Sequence, residues 1–339
     1  MLNEPDGWLP TLRTRLAAES AAGRFSGAVL VARNDTVLFA EAHGMADRTR
    51  EIPNQLSTRF RLGSINKVFT AVAVCQLIQA GAVDPHEPFG TYLPDFPNRD
   101  LAAGATVHHL LVHRAGTGNI FGPEYESRRE ELRTVDDYVR LFGHRDAEFE
   151  PGSRHGYSNF GYVVLGALIE HVTGQSYHDY VDEHIHAAAG MSRSGSAPEA
   201  EVGDLAIGYT DEVEGSDVNT GLLSYRGSPA GNGYSTVEDL WRFANALTGH
   251  RLLDARHTRL VTTGQDEDGW AGRCVAYGCW EWTAYGLHSF GASGGFPGVS
   301  TNVTVHPGDG YVIVVLANMD PDIALYVSNF IHRRLPVTT

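Results

Sequence analysis

Phe60-Arg61-Leu62-Gly63-Ser64-Ile65-Asn66-Lys67-Val68-Phe69-Thr70 is the stretch on which the reading of this chain turns. The pattern predicts a helix over 64–80. Val68, Phe69, Val72, Cys75, Leu77 and Ile78 leave it little polar face, so it should be buried. Gly81 then fits the position just past its end, where a left-handed residue closes a helix. Ser64 and Lys67 are three apart, which places them on one helix face a turn apart. A serine hydroxyl is a poor nucleophile until a neighbouring base takes its proton. The positive end of the helix dipole favours an alkoxide there and disfavours a protonated lysine. Ser64 as a simple helix cap is the plainer reading. It explains the serine but not the lysine. Lys67 is the only lysine among 339 residues, beside 25 arginines. Arginine keeps its proton, whereas a lysine gives it up when its site lowers its pKa.

Further along, Pro151-Gly152-Ser153-Arg154-His155-Gly156-Tyr157-Ser158-Asn159 leads into the apolar run Tyr162-Val163-Val164-Leu165 and predicts a helix start. Taken alone, Asn159 reads as a cap and Tyr157 as a packing aromatic. Near a cationic lysine, Tyr157 would be better stabilised as phenolate and so suited to a general base.

The rest of the chain supplies the frame. A helix is expected over 8–22. The runs 27–32 and 36–42 flank an Asn34-Asp35 turn and predict an antiparallel hairpin. Helical pieces are expected near 106–113, 134–142, 159–173 and 176–187. Strands return from about 230, with a hairpin of 301–305 and 311–316 around Pro307-Gly308-Asp309-Gly310, and a closing helix at 321–334. Strands at both ends and helices between them predict an α+β fold: one antiparallel sheet flanked by terminal helices, with an all-helical subdomain inserted. The expected boundaries are 1–84 and 205–339 for the sheet-and-helix domain and 85–204 for the insertion, with the active site between them. The charged segment Glu124 to Arg133 reads as a solvated face.

Composition narrows the function. Hydrophobic residues make up 42% and charged residues 20%, an ordinary globular balance. A net charge of −15 opposes nucleic acid and anionic membrane as partners. No apolar run approaches a membrane span. Met1 to Leu16 shows no apolar core of a secretory leader, so a cytoplasmic location is expected. Cys75, Cys274 and Cys279 form no disulfide framework. His109 and His113, and His184 and His186, lack a third ligand, and solvated or capping histidines are expected there.

Together these segments resemble the serine β-lactamase-like and penicillin-binding-protein-like family, which includes class C β-lactamases, D-amino-acid peptidases, family VIII carboxylesterases and some acyltransferases. The stretch 60–70 resembles its S-x-x-K nucleophile segment. Gly27-Ala28-Val29-Leu30-Val31 resembles its first strand, and Leu110-Leu111-Val112-His113-Arg114-Ala115-Gly116 its LLTHTSG segment. Phe149-Glu150-Pro151-Gly152 with Tyr157-Ser158-Asn159 is similar to FxPG…YSN. Pro229-Ala230-Gly231-Asn232-Gly233-Tyr234-Ser235-Thr236-Val237-Glu238-Asp239-Leu240 is similar to PAGGLxSTxxDL.

The resemblance implies a β-lactamase/transpeptidase-like fold and a serine hydrolase that forms an acyl-enzyme. Ser64 would be the nucleophile, with Lys67 and Tyr157 sharing proton handling and Asn159 aligning the relay. Backbone amides of Ser64 and Gly295 would form the oxyanion hole. The family's Lys/His-Thr/Ser-Gly motif falls on Ala292-Ser293-Gly294, where Ala292 replaces the usual cation. That departure points to a small uncharged ester, amide or thioester substrate. No metal or cofactor is required. A biosynthetic acyltransferase using the same acyl-enzyme, or a catalytically weak binding module, are the alternatives. Gly291-Ala292-Ser293-Gly294-Gly295 also fits the G-x-S-x-G elbow of α/β-hydrolases, but Pro297 and a β-rich run follow where that elbow needs a helix.

Overall fold

The computed structural model describes residues 7–211, 218–219 and 222–336. Met1 to Asp6, part of the segment expected to be no secretory leader, lie outside them, as do a few residues of the expected 205–339 unit. The chain opens with helix α1 (Leu9–Ala21), followed by strands β1 (Gly27–Arg33) and β2 (Thr36–His43). Asn34, at φ 52°, makes the turn between them. At the other end of the chain come β3 (Asp266–Glu267), β4 (Arg273–Val275), β5 (Trp280–Ala284), β6 (Leu287–Phe296), β7 (Val299–His306) and β8 (Tyr311–Ala317). All eight join one sheet in the order β2-β1-β8-β7-β6-β5-β4-β3. Every pairing in it is antiparallel, and β1 meets β8 with Gly27 opposite Ala317. The first and last strands are thus interior neighbours, one strand in from the β2 edge.

That position explains why β1 and β8 read as unbroken apolar runs rather than alternating ones, since both of their faces are covered. Ala28, Leu30, Val312, Val314 and Leu316 belong to the core on the side of the helix that follows Ser64. Val29, Val31, Ile313 and Val315 pack on the other side against Leu12 and Leu16 of α1 and Val327 and Ile331 of the last helix (Ile323–His332).

Helix α2 (Asn66–Gln79) is buried on nearly all sides, and Gly81 closes its end at φ 71°. Helix α3 (Asn159–Thr173) packs beside it. Among the described residues, 85–204 contain helices and loops but no named strand. Two features differ from expectation. The helical stretch near 176–187 is an α-turn, Tyr177–Val181, running into a π-helical turn, Asp182–Ala187. Strands of the main sheet return only at Asp266, after helices α4 (Val237–Thr248) and Ala255–Thr262. Thr236 caps α4 by accepting from Asp239 N–H, and Val237, Leu240, Phe243, Ala244 and Leu247 fall on one buried stripe. The segment 291–295 lies within β6, paired to β7, so it is no nucleophile elbow.

Candidate active site

The turn before α2 is held from two directions. On one side, Phe60–Arg61 pairs with Tyr234–Ser235. Leu62 N–H donates to Gly233 O at 2.8 Å, and Asn232 N–H donates to Gly63 O at 3.2 Å. On the other side, Thr301 Oγ1 donates to Leu62 O at 2.8 Å. Gly63 sits at φ 52°, and a Cβ there would lie 3.0 Å from Gly295 N. A Cβ on Gly294 would come within 2.0 Å of Leu62 O and 2.8 Å of Ser64 N. Only glycines let the Ser64 turn and the β6 edge approach this closely. The amides of Ser64 and Gly295 are drawn to the same corner as a result.

Ser64 belongs to a 3-10 turn, Gly63–Ile65, that feeds α2, and its side chain caps nothing. Its Oγ instead receives Tyr157 OH at 2.8 Å and lies 3.2 Å from Lys67 Nζ. The cap reading for this serine therefore fails. Lys67 is 2% exposed. Its Nζ donates to Asn159 Oδ1 at 2.7 Å and, in a short contact, to the carbonyl oxygen of Ala230. It also lies 5.0 Å from the Tyr157 ring centre and 5.6 Å from that of Tyr162. None of these neighbours is a carboxylate. Burial without a counter-ion therefore pulls the ammonium down to about 7. An amine near neutral pH has two hydrogens for the two carbonyl acceptors, which leaves its lone pair for Ser64.

Tyr157 leaves 37% of its surface to solvent, but its hydroxyl is turned inward to Ser64. Burial of that hydroxyl pushes the phenol up to about 12, against the lowering effect of the Ser64 contact. This corrects the expectation that the lysine would make Tyr157 a phenolate. Desolvation outweighs attraction to a lysine whose own pKa is lowered to about 7.

Asn159 is the first helical residue of α3, and Ser158 is the cap, accepting from Gly161 N–H at 2.9 Å. Asn159 is therefore free to face Lys67. Its Nδ2 donates to Asn119 Oδ1 at 2.9 Å, which fixes which way the amide points. Ala292 is 5% exposed and pairs with Val303. It borders a cavity of about 230 Å³ together with Arg273, Trp280 and Ser293. Ser293 pairs with Asn302 and is exposed.

The sequence model of the Beta-lactamase family matches residues 12–336. The chain belongs to that family. It is 28% identical over 317 residues to the putative penicillin-binding protein PbpX of Bacillus subtilis, covering 92% of this chain and 75% of the relative. It is 36% identical over 203 residues to esterase EstB of Burkholderia gladioli, covering 56% and 51%. The crystal structure of a penicillin-binding protein from Bacillus halodurans is similar at TM-score 0.85 and 30% identity, over 95% of this chain and 99% of that one. A D-amino acid amidase from Ochrobactrum anthropi shares the fold at TM-score 0.80 and 22% identity, over 96% and 97%. The fold is thus β-lactamase/transpeptidase-like, and family membership supports a serine hydrolase.

The structure brings Ser64, Lys67, Tyr157 and Asn159 into one hydrogen-bonded cluster, with Gly294 and Gly295 against the Ser64 backbone. Sequence reasoning missed three contributors. The Ala230 carbonyl lies in a quoted family segment, but a backbone acceptor leaves no mark on side-chain identity. Asn119 lies in an unremarkable loop. His113 was expected to be solvated or capping. That reading suits His109, whose Nδ1 faces Thr106 N–H at the start of Val107–Leu111, but both His113 and His186 are buried.

Proposed function

We propose that this chain is a serine hydrolase that forms an acyl-enzyme on Ser64 and acts on a small uncharged ester or amide. The site would lie between a sheet-and-helix unit (1–84 and 205–339) and a helical insertion (85–204). One observation carries the reading: Ser64 Oγ lies within hydrogen-bonding reach of a buried amine near neutrality and of a protonated phenol.

The chemistry follows from those states. Lys67, as the free amine, takes the proton of Ser64 as Oγ bonds to the substrate carbonyl carbon. The oxygen that becomes negative faces the amides of Ser64 and Gly295. Tyr157 gives its proton to the leaving oxygen or nitrogen as that bond breaks, and the proton held by Lys67 balances the one released. Water then attacks the ester on Ser64 by the reverse route. Asn159 and the Ala230 carbonyl keep the lysine lone pair aimed at Ser64.

The space beside Ser64 supports a short neutral acyl group. It measures about 30 Å³, and Ile120, Phe121, Tyr125, Tyr138 and Phe296 wall it without a charged side chain.

Intact mass after incubation with p-nitrophenyl acetate or butyrate, and separately with a fluorophosphonate, tests the proposal. An adduct on the folded protein that vanishes in Ser64→Ala is expected. No adduct on the folded wild type would overturn it. Adding an acceptor alcohol in the same assay separates hydrolysis from acyl transfer.

A further inference from the structure

We infer that His113 is a positioning residue that aims the Tyr157 hydroxyl at Ser64, acting through both the backbone and the ring of Tyr157. The inference rests on the acyl-enzyme reading above. His113 follows the short helix Val107–Leu111 and adopts φ 59°, a left-handed conformation uncommon outside glycine. It is 3% exposed. The carbonyl of His113 accepts from Gly156 N–H at 2.8 Å. Its Nδ1 accepts from Ser158 N–H at 3.2 Å. One residue thereby fixes the chain on both sides of Tyr157.

The imidazole also packs directly on the tyrosine, with ring centres 4.5 Å apart and planes tilted by 36°. Trp280 closes the group, at 6.2 Å from the Tyr157 ring and 6.4 Å from the His113 ring. Tyr157 lies in a loop before α3, so helical packing does not set its direction. The clamp from His113 does. A nitrogen that accepts an N–H carries no proton itself, so the ring proton resides on Nε2. Burial, with Lys67 and His155 close by, keeps the imidazole far below its ordinary pKa and hence neutral. A neutral ring satisfies the Ser158 amide without placing a cation beside Lys67.

The experiment is a double-mutant cycle with Tyr157→Phe, read as p-nitrophenyl butyrate turnover. His113→Phe keeps an aromatic ring but removes the Nδ1 acceptor. His113→Asn tolerates the left-handed backbone and offers an oxygen to the Ser158 amide, but loses the ring. We expect kcat to fall about 100-fold in His113→Phe and about tenfold in His113→Asn, with KM nearly unchanged. In the Tyr157→Phe background neither change should cost more than about twofold, because a residue that acts through Tyr157 has nothing left to aim. Additive losses in the two backgrounds, or losses carried by KM, would overturn the inference. Should His113→Phe fail to fold, His113→Asn carries the same comparison alone. Wild-type protein with no Ser64 adduct overturns the acyl-enzyme reading itself, and this inference with it. A wild-type adduct with additive losses overturns only the role of His113.

Discussion

The two walls of the site are built differently. On the α2 side, Ser64, Lys67, Tyr157 and Asn159 are linked by side-chain hydrogen bonds. On the β6 side the close backbone approach is kept, but the side chain that the resemblance expects is not. Gly294 and Gly295 still press against the Ser64 turn, while Ala292 stands where the resemblance expects a lysine or histidine. The difference separates two tasks. Proton handling needs a closed set of mutually dependent groups, so losing one disables the rest. Substrate recognition is a set of separate contacts, and one can be dropped while the chemistry remains.

Four changes break or sharpen that contrast, in falling order of effect. Ser64→Ala should abolish the adduct seen by intact mass and lower kcat by roughly 10⁶-fold, the scale of losing a nucleophile from a cooperative set. Retained turnover would dissolve the α2 wall as the reactive one. Lys67→Arg keeps a positive charge that cannot be surrendered and should cost on the order of 10³-fold in kcat/KM.

The wild-type pH profile belongs with Lys67→Arg. The lysine's pKa is lowered to about 7, so the competent amine forms as pH rises through that value, and kcat/KM should climb there. A profile flat between pH 6 and 8 would remove Lys67 as the base.

Gly294→Ala probes the β6 backbone. Its Cβ would meet Leu62 O at 2.0 Å, so one strand or turn must shift. A stability loss of roughly 2–3 kcal/mol by denaturant unfolding is expected, with slower acylation in the fraction that folds. Unchanged stability would mean that the close approach is not needed. Ala292→Lys is the mildest. The cavity of about 230 Å³ beside it gives a longer side chain room. Affinity for carboxylate-bearing esters should rise about tenfold, the worth of one charge-assisted contact, with little change for neutral esters. No gain with such substrates would show that this edge does not face the leaving group.

Much of this site was legible because its signals are local. The i, i+3 spacing of Ser64 and Lys67, the glycine at 63 and the Y-x-N triplet before an apolar helix are short patterns with direct geometric meaning. The same holds for the hairpin at 27–43 and the helices at α1 and α3. What escaped was contributed by groups without a side-chain signature or by a residue in an unexpected conformation. The Ala230 carbonyl takes a lysine hydrogen, and its role depends on how the 229–234 segment folds back over α2. The sequence reads His113 as solvated or capping because nothing local announces a left-handed turn at a histidine. Helix α4 was missed because strands were expected from residue 230, although the buried stripe from Val237 to Leu247 has helical spacing.

By itself, the sequence determined which residue types stand at which local spacings. That was enough for the antiparallel hairpins, the buried helix after Ser64, the absent cation at 292 and the family resemblance. Only the tertiary structure decided the state of those groups. The Lys67 pKa falls to about 7 because Asn159, Tyr157 and Ala230 exclude water and bring no counter-charge, and all three lie far from it along the chain. Tyr157 stays protonated for the same reason. Spacing along a helix is set by bonds and backbone angles within a few residues. A pKa is set by solvation, and solvation belongs to whatever the fold packs alongside.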